Sequence, residues 1–83
     1  MSLHIETEQA GDVAVLQCAG KMVHAEALSL LGDAVTGLPR VRVIVLDLSE
    51  VTMLGAHGLG MLVFLHNWTG AQNIQLKLVN PSR

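Results

Sequence analysis

The second part of the chain lacks acidic side chains. All seven Asp and Glu residues lie at or before Glu50, and residues 51 to 83 contain none. A carboxylate from the later loops is therefore excluded as a metal ligand, as a general base or as a partner for a ribose hydroxyl. Any chemistry placed in that part of the chain has to use other groups.

Basic residues and cysteines are also scarce. Five Lys and Arg residues and a formal net charge of −2 do not supply the clustered positive charge that nucleic-acid binding requires. The single cysteine, Cys18, allows no internal disulfide and indicates a reducing compartment. We therefore expect no nucleic-acid partner.

Targeting and membrane signals are missing from the sequence. The first residues, MSLHIETEQ, contain no basic segment followed by an apolar stretch, so they do not form a signal peptide. No apolar run approaches the roughly 18 residues that a membrane-spanning helix needs. We expect a single domain over residues 1–83, in the cytoplasm and without direct membrane insertion.

What the chain has in abundance is apolar surface. Hydrophobic residues make up 51% and charged residues 14% of the sequence, and the mean hydropathy is +0.48. A domain of this size buries only about 60–65% of the surface of its unfolded chain. The composition therefore predicts apolar area that stays uncovered unless another chain covers it.

Hydrophobic periodicity predicts four strands and two helices. Alternating apolar and polar residues indicate strands, and apolar residues three and four apart indicate helices. The predicted elements are strand 3–8, a turn at 10–12, strand 13–19, helix 24–38, strand 41–48, helix 58–68 and strand 74–79.

This β-β-α-β-α-β order predicts an α/β fold. The first two strands should form an antiparallel hairpin, and each strand–helix–strand crossover should be right-handed and leave its strands parallel. The result is a mixed four-stranded sheet with helices packed on it. We expect the second helix to face the sheet with Leu59, Leu62, Val63 and His66.

The stretch GAHGLG, residues 55–60, joins the third strand to the second helix. Its glycines read G-x-x-G-x-G, whereas the dinucleotide fingerprint is G-x-G-x-x-G followed by an acid. A nucleophile elbow would place Ser where Ala56 and His57 stand. We therefore expect no bound nucleotide and no catalytic residue, and interpret the glycines as permitting a tight strand-to-helix connection.

Other polar side chains give weak signals for chemistry. His4, Cys18, His24, His57 and His66 lack the spacing of metal ligands, although His4 and Cys18 could be cross-strand neighbours. We expect no metal and no cofactor. A ligand-binding or enzymatic role for His57, which could bind an anion or hydrogen-bond a partner, remains a less favoured alternative.

Asp47 at the end of the third strand could be compared with a phospho-accepting aspartate. That chemistry needs an acidic pair after the first strand, and QCAGK, which follows the candidate strand, offers none. We expect Asp47 to accept hydrogen bonds from backbone amides of the following segment.

The whole pattern resembles STAS domains, the fold of bacterial anti-sigma factor antagonists. VIVLDLSEVTMLGAHGLGMLVFL is similar to the family signature, an apolar strand, D-L-S-x-V, two apolar residues and Asp-Ser-Ser/Thr-Gly-Leu-Gly before a helix. The positions that match are Asp47, Ser49, Val51, Gly58, Leu59 and Gly60. VAVLQCAGKMVHAEALSLL also fits the second strand, the G-x-L-D turn and the first helix of the family.

The resemblance implies a protein-interaction module that regulates transcription. In typical members an anti-sigma factor of the serine-kinase type phosphorylates the hydroxyl after the motif Asp, and the unphosphorylated protein binds that kinase. Here the motif Asp corresponds to Gly55, the hydroxyl positions to Ala56 and His57, and the acid of the G-x-L-D turn to Val23. We therefore expect no phosphorylation and no switch at this loop.

The resemblance also implies where a partner binds. The expected contact surface is the 55–60 loop with the first turns of its helix and the turn before the first helix, which comprises Val23, His24, Gly55, Ala56, His57, Gly58 and Leu59. The alternative is a non-switching STAS subunit of a stress-signalling or lipid-transport ABC complex. Family domains usually continue through a further C-terminal helix that this sequence lacks, so we expect exposed apolar surface to drive formation of a homodimer or larger assembly.

Overall fold

The computed structural model describes residues 3–38 and 40–79. Four strands and two helices follow in the predicted order: β1 (Leu3–Ala10), β2 (Val13–Met22), α1 (Ala25–Thr36), β3 (Val43–Leu54), α2 (Ala56–Ala71) and β4 (Gln75–Val79). The strands form one sheet in the order β1-β2-β3-β4. The predicted mixed four-stranded α/β fold is confirmed.

The hairpin between β1 and β2 closes on a two-residue loop. Ala10 pairs with Val13, and Gly11 between them adopts φ of +62°. A positive φ is costly for residues with a Cβ, so glycine suits this turn. The antiparallel register then runs without interruption to the pair Leu3 and Gly20.

Strands β2, β3 and β4 are parallel, as the two crossovers require. Because successive crossovers are right-handed and move in the same direction across the sheet, both helices lie on one face. Alternate strand residues on that face are buried with the inner faces of the helices. The main members of this core are Ala14, Leu16, Cys18, Ile44, Leu46, Leu48, Leu28, Leu31, Val35 and Leu65.

Strand β3 extends past its predicted end at Leu48. Irregular pairing with β2 interrupts the alternation of buried and exposed residues from which the end was predicted. The register with β2 shifts between Gln17 and Ala19 and again between Gly20 and Lys21, each time with an extra residue in β3. After the first shift Val51 is buried on the same face as Leu48, although the two are three residues apart. The sequence prediction of a strand ending at Leu48 was wrong because a bulge breaks the period of two on which it relied.

The limits of the helices also differ from the prediction. Helix α1 ends at Gly37, as expected, but it buries Ala27 rather than Ala25. Helix α2 begins two residues earlier and continues past Gly70, because the chain stops only at Asn73, with φ of +59°. There the N–H of Ile74 donates to the Thr69 carbonyl at 2.8 Å, which closes the helix end in the manner of a Schellman motif.

The predicted buried face of α2 was wrong except at Leu62, which is half-buried against the core. Leu59 and Val63 are 54% and 60% exposed, whereas Leu65 is fully buried, and His66 is exposed rather than part of the apolar side. A helix with apolar residues around most of its circumference has no single apolar stripe from which its buried face can be predicted. The face that meets the sheet is set by Gly58, Leu65 and Thr69.

We expect Leu65→Ala to lower the free energy of unfolding by about 2–5 kcal/mol, because it leaves a cavity in the core. Leu59→Ala, in the same helix, should change it by less than about 1 kcal/mol because that side chain is half exposed. Urea denaturation followed by circular dichroism measures both. Equal losses for the two variants would contradict the observed orientation of α2.

Candidate functional site

The end of β3 and the start of α2 form the most distinctive surface of the molecule. Gly55 precedes the helix with an extended backbone, and no side chain caps the first turn. Its N–H donates to the Met22 carbonyl at 3.3 Å, and its carbonyl accepts from Leu59 N–H at 3.0 Å. The loop is therefore held by backbone bonds to the end of β2 and to its own helix.

Gly58 sets how closely α2 approaches β2. A Cβ built on Gly58 would lie 2.5 Å from the Met22 carbonyl oxygen and 2.6 Å from Leu54 Cδ1. Neither distance is tolerated by real Cβ atoms, and the first neighbour is backbone that cannot rotate away. Only glycine allows the first turn of α2 to rest on the strand end.

The structure brings together the residues that the sequence predicted as a contact surface. Met22 pairs with Leu54, so the turn at Val23 and His24 lies beside the loop. A Cβ built on Gly55 would lie 3.1 Å from Val23 Cγ1, which shows how closely the two segments pack. His24, Ala56, His57 and Leu59 are exposed.

Gly58 departs from that prediction because it is buried. It supports the loop from beneath and offers no surface to a partner. The sequence indicated this role through the glycine itself, and the interpretation that it permits a tight strand-to-helix connection agrees with the structure. Its placement among the contact residues does not.

Additional apolar side chains extend the surface beyond the predicted set. Leu54 is 38% exposed at the end of β3, and Val63 and Phe64 are 60% and 48% exposed along α2. Helix α2 contains no Asp, Glu, Lys or Arg. The surface formed by residues 23–24, 54–57, 59, 63 and 64, here called the α2 surface, thus carries no Asp, Glu, Lys or Arg and is largely apolar.

Hydroxyl groups lie close to the α2 surface but not on it. Thr52 precedes the loop and donates from Oγ1 to the Gly20 carbonyl at 3.3 Å. Ser49 lies further back, where its N–H donates to Asp47 Oδ1 at 2.9 Å. This bond is the backbone contact predicted for Asp47. It lowers the pKa of that carboxyl, and a hydrogen bond from the Ser49 side chain adds to the effect.

Cys18 is poorly placed for nucleophilic or metal chemistry. Cys18 pairs with Ile5, and His4 pairs with Ala19, so the Cys18 and His4 side chains lie on opposite faces of the sheet. Burial, with a smaller contribution from the charge of Asp47, raises the pKa of the Cys18 thiol to about 11. Such a thiol is neutral at physiological pH and a poor nucleophile.

No group of three or more His, Cys, Asp and Glu residues that could hold a metal ion occurs within residues 3–38 and 40–79. Over the same residues, no helix has the length and apolar character to cross a membrane. His57 is exposed in the first turn of α2, and no acidic side chain lies near it in sequence.

Comparison with known proteins assigns the family. The model of the STAS domain family matches residues 4–83, and the chain belongs to that family. No curated protein sequence matches the chain. The described fold and the β3–α2 loop are therefore those of a STAS domain.

Solved structures agree with this assignment. An anti-sigma factor antagonist from Mycobacterium paratuberculosis is similar with a TM-score of 0.76 and 28% identity, over 98% of this chain and 69% of that chain. SpoIIAA, an anti-sigma factor antagonist in its unphosphorylated form, has a TM-score of 0.75 and 17% identity, over 96% of this chain and 76% of that chain.

A third similar structure is a much longer chain. The Mglu crystal structure matches with a TM-score of 0.83 and 23% identity over 94% of this chain, but the match spans only 20% of the Mglu chain. The chain thus covers about a fifth of that protein, so the similarity shows a shared fold.

We expect Gly58→Ala to lower the free energy of unfolding by about 1–3 kcal/mol, because the added methyl group forces α2 away from the Met22 carbonyl. Gly60→Ala is the matched control, since a Cβ there meets nothing within 4 Å. It should be neutral or stabilise the helix by up to about 1 kcal/mol. Thermal unfolding of both variants measures the difference, and a neutral Gly58→Ala would contradict the close packing.

Proposed function

We propose that this STAS domain binds an anti-sigma factor of the serine-kinase type through the α2 surface and so regulates transcription in the cytoplasm. The observation that supports the proposal most directly is an uncharged, apolar surface at the position where the family resemblance places the partner. The family consists of protein-interaction modules, and anti-sigma factor antagonists are among its similar structures.

Burial of the α2 surface would drive the association. Leu59, Val63 and Phe64 each leave about half of their area exposed. Complete burial of such side chains contributes about 1.5–3 kcal/mol each, so half of that remains available to a partner. The first-turn N–H groups of α2, which no side chain caps, can donate hydrogen bonds to oxygen atoms of the same partner.

The proposed binding is constitutive. A phosphoryl group on the usual hydroxyl would add nearly two negative charges at this surface. Residues 53–66 contain no Ser, Thr or Tyr, so no such charge can be added on oxygen within the loop or the first turns of α2. The uncharged surface corresponds to the binding-competent state that the family resemblance implies.

A non-switching STAS subunit of a stress-signalling or lipid-transport ABC complex is the second candidate. The missing hydroxyl favours it as well, because a permanent subunit needs no switch. The identity of the partner separates the two candidates: an anti-sigma ATPase supports the first and an ABC ATPase supports the second.

We expect immobilised wild-type protein to capture an anti-sigma kinase from extracts of its own source, identified by mass spectrometry. Leu59→Asp should reduce the captured amount at least tenfold, because it places a charge in an apolar contact. Arg42→Ala is the control, since Arg42 is exposed at the start of β3 and pairs only loosely with Asp12, at 3.9 Å. Equal capture by Leu59→Asp and wild type would exclude the α2 surface.

We expect the captured kinase and labelled ATP to leave the wild-type protein without phosphate. Ala56→Ser should become labelled, because it places a hydroxyl at the exposed first position of α2, where the family carries its acceptor. Intact-mass spectrometry measures the gain of one phosphoryl group. Phosphate on wild-type Ser49 or Thr52 would show that the acceptor lies in β3 and that the protein can switch.

A further inference from the structure

The face of the sheet opposite the helices, here called the open face, carries a band of valines. Val13 and Val15 of β2 lie beside Val43 and Val45 of β3. All four are half-buried and alternate with the core residues Ala14, Leu16, Ile44 and Leu46. The centre of the open face is therefore apolar although no element of the described chain covers it.

Apolar residues on both faces of parallel strands are typical of sheets that are covered on both faces. In β3 the outward residues Val43 and Val45 are as apolar and as β-branched as many buried strand residues. This composition indicates that another surface packs on the open face. The charges at its two edges indicate which surface that is.

One row of the sheet carries opposite charges at its ends. Glu8 in β1 pairs with Val15, Val15 pairs with Val45, and Val45 pairs with Lys77 in β4. Paired residues point to the same face, so Glu8 and Lys77 both lie on the open face. They are separated by three strand spacings, or about 14 Å. No ion pair of either residue is present within residues 3–38 and 40–79.

We propose that two copies of this chain pack open face to open face. A two-fold axis that runs along the strands between β2 and β3 places Glu8 of one copy opposite Lys77 of the other, twice. It also places Val15 opposite Val45. Stacked sheets lie about 10 Å apart, a gap that a glutamate and a lysine side chain bridge together.

The charges on the open face favour a two-fold axis along the strands over a two-fold axis across them. A two-fold axis across the strands would place β1 over β1 and bring acidic residues of the two copies together. The axis along the strands places no acid of β1 over another acid, and in the next row it brings Gln17 opposite Asp47. The packing is therefore self-complementary in its valine band and in its Glu8–Lys77 pairs, whereas Glu6 of β1 lies opposite Val79 and stays at the exposed edge.

This contact is independent of the proposed partner site. The α2 surface belongs to the helix side of the sheet, so it stays accessible in both copies of such a dimer. The assembly would present two α2 surfaces on opposite outer sides, which allows one dimer to hold two partners.

The size of the open face predicts a weak dimer. Four strands about 4.8 Å apart and some five residues of about 3.3 Å each cover roughly 300 Å² in projection. A contact of this small extent belongs with weak and transient interfaces rather than with standard stable ones. We therefore expect dissociation constants of tens to hundreds of micromolar.

Sedimentation equilibrium from about 5 to 500 µM tests the proposal. The wild-type mass should rise from that of a monomer toward that of a dimer. Glu8→Lys and Lys77→Glu should each weaken association roughly fivefold to tenfold, because two attractive pairs become repulsive. The double variant Glu8→Lys with Lys77→Glu should return to within about twofold of wild type, since the pairs are restored with opposite orientation.

Asp33→Lys is the matched control for Glu8→Lys. It makes the same change in net charge at an exposed position on α1, on the other side of the sheet, and should leave association unchanged. A wild-type chain that stays monomeric to 500 µM would overturn the proposal. A dimer whose association is unchanged by Glu8→Lys and by Lys77→Glu would also overturn it. So would failure of the double variant to restore association, or dissociation of the dimer by Val63→Asp on the α2 surface.

Discussion

The position of the α2 surface depends on the contact between Gly58 and the Met22 carbonyl. This contact lets α2 begin directly on the end of β2, where any side chain would be obstructed. Because α2 begins there, the turn at Val23 packs against Gly55, and two segments distant in sequence form one surface. The exposed side chains of α2 then face outward while Leu65 completes the core.

The same constraint explains how the α2 surface keeps its shape without hydroxyl or carboxylate side chains in the loop. The loop is held by backbone hydrogen bonds, from Gly55 N–H to Met22 and from Leu59 N–H to Gly55. Side-chain hydroxyls and carboxylates are not needed to shape it, so the surface is formed although Gly55 stands where the family resemblance places an acid, and Ala56 and His57 stand where it places hydroxyls. In the function that we propose, what is lost is the ability to change the charge of this surface by phosphorylation.

Much of the fold could be predicted from periodicity, but the details of the site could not. The element order, the hairpin and the parallel crossovers follow from strand and helix patterns together with the handedness rule. The end of β3 was missed because a bulge places Val51 on the same buried face as Leu48, three residues away, which breaks the period of two. The orientation of α2 was missed because Leu59, Val63 and Leu65 are equally apolar in sequence, and only the packing at Gly58 decides which of them is buried.

Hydrogen–deuterium exchange of the chain with its captured partner tests the central claim most directly. The account predicts slower exchange at residues 22–24 and 54–64 in the complex, with unchanged exchange in β1 and β4. Because backbone amides report contact along the whole chain, the result does not depend on choosing a variant. Protection confined to β1 and β4, with the start of α2 unaffected, would contradict the assignment of the α2 surface.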